Sequence, residues 1–205
     1  MEPRRLPKSE TTKAAILESA APLFLSLNYS DVTMNDIARA CKLTKGALYH
    51  HFAGKEDLYL AMMHSHMAAI RDTFQHAIAE HADSRGRLRS LTRAFLTLPR
   101  QKREIMKLVR RDINVFGEPA RTELIHAYQS CLPEQVETVI QEGIASGELR
   151  AADPRLLSWQ FVAAVEVTLS RYSDRIFAAT DDKLDFVMAL FFDGASNPET
   201  GKGKS

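Results

Sequence analysis

Two helix-start signals, Thr33 and Thr44, stand so close together in TMNDIARACKLTKGALYHHFAGK (residues 33–55) that only one short helix and a tight turn fit between them. A threonine hydroxyl at such a position accepts a bond from a first-turn backbone N–H, and Asp36 is placed to reach back in capping-box fashion. Met34, Ile37, Ala38 and Cys41 recur at i, i+3, i+4 and i+7 and give the first helix one apolar face, with Asn35, Asp36 and Arg39 opposite. After a connection at Lys42 and Leu43, Leu48 and Phe52 form the buried side of a second helix. Lys45, Gly46, Ala47, Tyr49 and His50 are left outward. Helices this short are stable only when packed on a neighbour, and the outline is a helix-turn-helix.

The remaining periodicity is helical, and no strand signal interrupts it. Ile16, Ala20, Leu23, Phe24 and Leu27 mark a helix before the pair. A long helix is predicted from about Lys55 to His81, carrying Met63, Met67, Ile70, Phe74 and Ile78. Asp83 or Ser84 caps the next, which stops before Pro99, and another takes residues 100–115. Gly117-Glu118-Pro119 opens a segment to 146 that Pro133 kinks or splits and Gly147 closes. Asp153-Pro154 opens a helix to about Tyr172, so apolar on nearly all faces that burial on several sides is expected. Thr180 caps a last helix ended by Gly194. The predicted organisation is all-α, about nine helices: a head over 10–56, a helical body over 57–194, and flexible polar tails at 1–9 and 195–205.

With 205 residues and 45% apolar content the chain can bury a substantial core, and its net charge of +1 says little about partners. The distribution says more, since residues 1–55 hold eight Lys/Arg against five Asp/Glu, a modest electrostatic footprint for phosphate. Cys41 and Cys131 lie far apart and outside ligand spacing, so neither a disulfide framework nor a metal site is expected, and a reducing cytoplasm fits. No apolar run approaches a membrane span of roughly 18 residues. MEPRRLPKSE lacks the apolar stretch of a secretory signal. No cofactor is expected.

From about Lys13 to Leu58 the chain resembles the tetracycline-repressor family of bacterial transcription regulators. The resemblance rests on the helix through Ile16–Leu27, on Asn28-Tyr29, on Thr33–Ala38 and on Thr44-Lys45-Gly46-Ala47-Leu48-Tyr49-His50-His51-Phe52 before Lys55. Two positions depart from the family pattern. Asn28 replaces the glycine that ends the first helix, where asparagine tolerates the left-handed conformation, and Lys42 replaces the turn glycine. At Lys42 either the turn changes shape or the residue bears strain of roughly 1 kcal/mol that a phosphate contact offsets.

A helix-turn-helix enters the major groove with the N-terminal half of its second helix, which assigns Lys45, Gly46, Ala47, Tyr49 and His50 to base edges and backbone. Free N–H groups at helix starts place Thr33, Thr44 and Lys55 beside phosphates, with Lys42 at the turn. Lys55 stands out because a first-turn cation opposes the helix dipole, which a nearby phosphate would explain. The resemblance implies a dimer on a palindromic double-stranded operator and a small-molecule effector, lipophilic and of unknown identity, held by the middle helices. The candidate lining is Met62, Met63, His66, Met67, Phe74, Phe95, Phe116, Tyr128, Trp159 and Glu166, for most of which ordinary core is the competing reading. The last two long helices are the candidate dimer seam, with Trp159, Phe161, Phe186, Leu190 and Phe191 as anchors.

His64 and His66, two apart on a helix, point different ways and do not form a metal pair. Arg100, Lys102, Arg103, Lys107, Arg110 and Arg111 form a cluster that is either a solvated face or a seat for an anion. GxSxG, HExxH, Walker and GxGxxG signatures are absent, so an enzyme is not expected. The competing functions are an architectural or division-control DNA-binding protein that needs no effector, and an activator.

Overall fold

The computed structural model describes residues 8–193, and every described element is helical or turn. The helices are α1 (Lys8–Ser26), α2 (Met34–Ala40), α3 (Lys45–His51), α4 (Lys55–Ala79), α5 (Ser84–Thr97), α6 (Arg100–Asp112), α7 (Ala120–Cys131), α8 (Pro133–Ser146), α9 (Pro154–Val167), α10 (Ser173–Ile176) and α11 (Thr180–Asp193). Contacts divide them into two units, one formed up to Ile70 together with Pro99–Gln129, the other by Arg71–Leu98 and the chain from Ser130 onward. No linker stands between residues 56 and 57, because α4 is continuous there. The expected tails at 1–7 and 194–205, with the stop at Gly194, lie outside the described residues; Lys8 and Ser9, expected in a tail, begin α1.

In the first unit α1 buries Ile16, Leu17, Ala20, Ala21 and Phe24, and α2 and α6 pack against it. Asn28 does not take the left-handed conformation. It is extended (φ −68°, ψ 153°) and donates its side-chain amide to Asp31 Oδ2 at 3.0 Å across the 3-10 turn Tyr29–Asp31. The helix end is met instead by Leu27 N–H on Leu23 O at 2.9 Å. A 3-10 turn, Ile113–Val115, finishes the segment whose spacing predicts a helix to 115.

In the second unit two caps fall at predicted places. Asp83 accepts Gly86 N–H at 2.8 Å, and Asp153 accepts Leu156 N–H at 2.7 Å ahead of Pro154. Pro133 splits its segment and starts α8, which ends on Gly147 at φ 80°. α8 packs on α9 and α5, and α11 packs on α5. A row of arginines one turn apart on α5 meets aspartates on α11 in antiparallel order: Arg85–Asp193 at 3.1 Å, Arg89–Asp185 at 2.7 Å and Arg93–Asp181 at 2.7 Å. These pairs are largely exposed, and their value lies in register more than in stability.

Three expectations fail here. α9 ends at Val167 rather than near Tyr172, because Thr168 turns its hydroxyl back to Val165 O at 2.6 Å and Lys183 Nζ takes Thr168 O at 3.0 Å. Nor is α9 buried on several sides: Phe161 and Val165 face the core, while Leu156, Trp159 and Val167 are more than half exposed. Thr180 lies in the first turn of α11, where the free N–H of Ala179 is taken by Asp182 at 2.9 Å.

Gly143 of α8 lies against Ser84 at the start of α5. A Cβ there would overlap Ser84 Oγ and lie 3.0 Å from Leu149 Cδ1. Gly143→Ala is expected to destabilise the fold by about 1–3 kcal/mol despite alanine's better helix propensity, measured by urea unfolding; equal or higher stability would show that the contact relaxes freely.

Candidate nucleic-acid interface

The first helix of the interface is held by a complete capping box. Asp36 N–H donates to Thr33 Oγ1 at 3.2 Å, Thr33 N–H returns to Asp36 Oδ2 at 3.1 Å, and the hydroxyl adds a 2.5 Å bond to the same carboxylate. The bonds from Thr33 hold the Asp36 carboxyl below its ordinary value of 3.8. Thr33 is exposed beside α2's N-terminus, with its hydroxyl already engaged.

At the other end of α2 the chain turns through Lys42 at φ 56°. Leu43 N–H reaches Ala38 O at 2.9 Å and Lys42 N–H reaches Arg39 O at 3.1 Å, the paired bonds of a Schellman ending. The turn therefore keeps the shape that suits glycine, and the lysine bears the strain, with its side chain in solvent. Thr44 then caps α3 through Ala47 N–H at 3.1 Å.

Along α3, Leu48 is buried and Phe52 follows it inward, while Lys45, Gly46, Tyr49 and His50 are exposed and Ala47 is half-buried. Lys45 Nζ lies 5.9 Å from the Tyr49 ring centroid, so cation and phenol share one outer stripe. His51, half-buried, meets His50 edge to face at 5.4 Å. Gly46 has open space around the position of a Cβ. Nothing inside the protein requires glycine there, although glycine in a helix costs about 1 kcal/mol relative to alanine.

Lys55 departs from its expected role. Its ammonium donates to Tyr29 O and Val32 O, each at 2.8 Å, and sits 4.3 Å from the Tyr29 ring centroid. Carbonyls of the α1–α2 connection, rather than phosphate, account for a cation in the first turn of α4. Its neighbour in that turn, Asp57, takes Ala53 N–H at 2.8 Å.

The proposed effector lining separates. Met62, Met63, Met67 and Phe74 are closed off from solvent as core. Phe116 stacks on Tyr59 at 5.3 Å and meets Tyr29 at 4.7 Å, so it packs within the first unit. Tyr128 is half-buried on α7. His66 is buried with Nε2 unpartnered and Nδ1 3.9 Å from Glu18, and burial lowers its pKa; His64 faces Glu123 at 3.8 Å, so the two histidines do diverge. In the second unit, Phe95, Phe161 and Glu166 border one apolar crevice of about 10 Å³, too small for a ligand as it stands. A larger cleft of about 410 Å³, missed in the sequence, lies between Gln75, Ile78 and Ala79 of α4 and Gln135, Thr138 and Val139 of α8. Only packing brings those two stretches together, and nothing in their spacing advertises it.

Of the candidate dimer anchors, Trp159, Phe186 and Leu190 are exposed. Phe161 is buried and packs edge to face on the half-buried Phe191 at 4.9 Å, so Phe161 belongs to the core. In the α6 cluster the partly exposed Arg111 pairs with the buried Asp112 at 2.7 Å, while Lys107 pairs with Glu104 at 2.9 Å. Among the described residues no cluster of three potential metal ligands occurs, and no helix is long and apolar enough to cross a membrane.

Comparison with known proteins agrees with this geometry. The family model for bacterial regulatory proteins of the tetR family matches residues 16–62, and the tetracyclin repressor-like C-terminal domain matches residues 81–174. The transcriptional activator FasR of Mycolicibacterium smegmatis is 26% identical over 168 residues, covering 82% of this chain and 74% of FasR. The transcriptional repressor AcnR of Corynebacterium glutamicum is 29% identical over 153 residues, 72% of this chain and 73% of AcnR. The structure of AibR in complex with isovaleryl coenzyme A and operator DNA aligns with a TM-score of 0.71 at 26% identity, covering 88% of this chain and 98% of AibR. With one family domain laid over the capped α2–α3 pair and the other over the helices beyond it, the chain belongs to the tetracycline-repressor family of bacterial transcription regulators.

Proposed function

We propose that this protein is a cytoplasmic, dimeric repressor that binds a near-palindromic operator through α3 and is released by a small lipophilic effector, without catalysing a reaction. The observation that carries the DNA reading is Gly46. A helical glycine with open space around it, flanked by exposed Lys45, Tyr49 and His50, is what a surface needs when another backbone must come close. Lys45 supplies charge for phosphate or a guanine edge, Ala47 an apolar contact for a thymine methyl, and Tyr49 a hydroxyl and a flat ring. Thr33, Lys42 and Thr44 stand where helix starts and the turn meet the phosphate backbone. Selection from random duplexes is expected to recover a palindrome, and Tyr49→Ala to weaken binding to it by about 1–3 kcal/mol in anisotropy titrations. No enrichment would overturn the DNA reading, and unchanged affinity would remove Tyr49 from the interface.

A single α3 spans too few base pairs for specificity, so two copies are required with their recognition helices roughly 34–36 Å apart. The exposed Leu156, Trp159, Val167, Phe186 and Leu190 supply an apolar surface suited to a second copy. Trp159→Glu is expected to yield monomers in analytical ultracentrifugation at micromolar concentration and to abolish palindrome binding. A variant that remains dimeric would move the seam elsewhere.

Effector control draws its support from the 410 Å³ cleft against the second half of α4, an open site of small-ligand volume where Ile78, Ala79 and Val139 lie beside Gln75, His81, Arg87, Gln135 and Thr138. The buried methionines of α4 favour the alternative of an effector-independent DNA-binding protein, since they are packed as they stand. Because AibR was solved with isovaleryl coenzyme A, that thioester is the first compound to try. Ligand bound to the folded state raises the unfolding temperature. A rise accompanied by operator release supports repression relieved by an effector. No response across an acyl-thioester and lipophile panel favours the effector-independent reading, and tighter operator binding favours the activator, as in FasR's name.

A further inference from the structure

α6 ends on a buried acid. Asp112 is 3% exposed and accepts three bonds: Arg111 Nε at 2.7 Å on Oδ1, and Arg111 Nη2 and the Tyr59 hydroxyl, each at 2.8 Å, on Oδ2. Arg111 Nη2 also donates to Phe24 O at 2.7 Å. Phe24 lies in the last turn of α1, where carbonyls lack helical partners and the dipole favours a cation, so the guanidinium satisfies both needs at once. Tyr59, in the second turn of α4, is fully buried, and burial together with the Asp112 charge pushes its phenol above the ordinary 10.0, so it remains a donor. Carbonyl, guanidinium, carboxylate and phenol form one closed chain through α1, α6 and α4.

Burying a carboxylate is a poor means of adding stability, because apolar side chains of equal volume often do as well, and the Arg111 side chain that meets it is 34% exposed. What the directional bonds add is a fixed arrangement: each oxygen has its donors, and shifting α6 or α4 against α1 by an ångström breaks at least one of them. α1 in turn carries α2. We infer that Tyr59, Arg111 and Asp112 are positioning residues for operator recognition, a joint that sets the attitude of the α2–α3 pair on α4 and thereby the half-site spacing the dimer accepts. The inference rests on the proposed palindrome binding.

The test uses the full chain, with Tyr59→Phe, which keeps the ring and removes the donor, and Arg111→Lys, which keeps the charge and loses the fork. Affinity is measured for the selected palindrome, for the same palindrome with base pairs inserted at its centre, and for a duplex holding one half-site. Both variants are expected to lose about threefold to thirtyfold of the wild-type preference for native spacing, with half-site affinity unchanged within about twofold. A purely structural role would instead lower melting temperature and all three affinities together. If Tyr59→Phe unfolds, Arg111→Lys decides. Folded variants that keep the wild-type preference overturn the joint alone. A wild type that selects no palindrome overturns the operator reading, and the joint's role with it.

Discussion

The Lys55 ammonium, seated on the carbonyls of Tyr29 and Val32 and over the Tyr29 ring, is the contact from which the rest of the first unit is placed. It converts the start of α4 into an anchor for the connection that leads into α2. Beneath it the aromatic rings interlock: Tyr29 meets Tyr59 edge to face at 5.1 Å, and Phe24 meets Tyr59 at 4.9 Å. Edge-to-face pairs contribute about 0.5–1.5 kcal/mol each beyond the area they bury. Two of them match or exceed the roughly 1 kcal/mol of strain at a left-handed lysine, so the Lys42 turn is tolerated without any partner outside the protein.

The exposed surface of α3 follows from that rigidity. Seven residues make a helix too short to persist alone, yet Leu48 and Phe52 are held inside, so Lys45, Tyr49 and His50 are presented from a fixed backbone. Binding then orders few groups, which favours affinity per contact. The same logic separates the two kinds of lysine at this end of the molecule: Lys55 is consumed by backbone carbonyls, while Lys42 and Lys45 keep their charges in solvent. Charge counts along a sequence cannot make that distinction.

What was legible came from local chemistry. The capping box at Thr33, the cap at Thr44 and the helix start at Asp153-Pro154 depend on neighbours within four or five residues, and all three stand as expected; at Lys42 and Pro133 the sequence leaves two outcomes each, and the structure takes the left-handed turn and the split. What was not legible required distant partners. Phe116 and Phe161 looked like pocket or seam residues because composition shows that an aromatic is buried somewhere, not against which helix. α9 looked buried on several sides because its apolar residues wrap nearly all its faces, although Leu156, Trp159 and Val167 face solvent. Asn28 was read by analogy with a glycine, whereas Asp31 offered its amide a bond in the extended conformation.

The sequence by itself determined an all-α chain, the punctuation of its helices and the stripe Lys45, Gly46, Tyr49 and His50, because caps, turns and amphipathic faces are settled by interactions of a few residues' range. Tertiary structure alone decided that Lys55 serves a loop, that Arg111 and Asp112 close a bond chain onto Phe24 and Tyr59, and that α4 and α8 leave a cleft between Ile78 and Val139. Those partners lie tens of residues apart, and only the packing of helices determines which side chains meet.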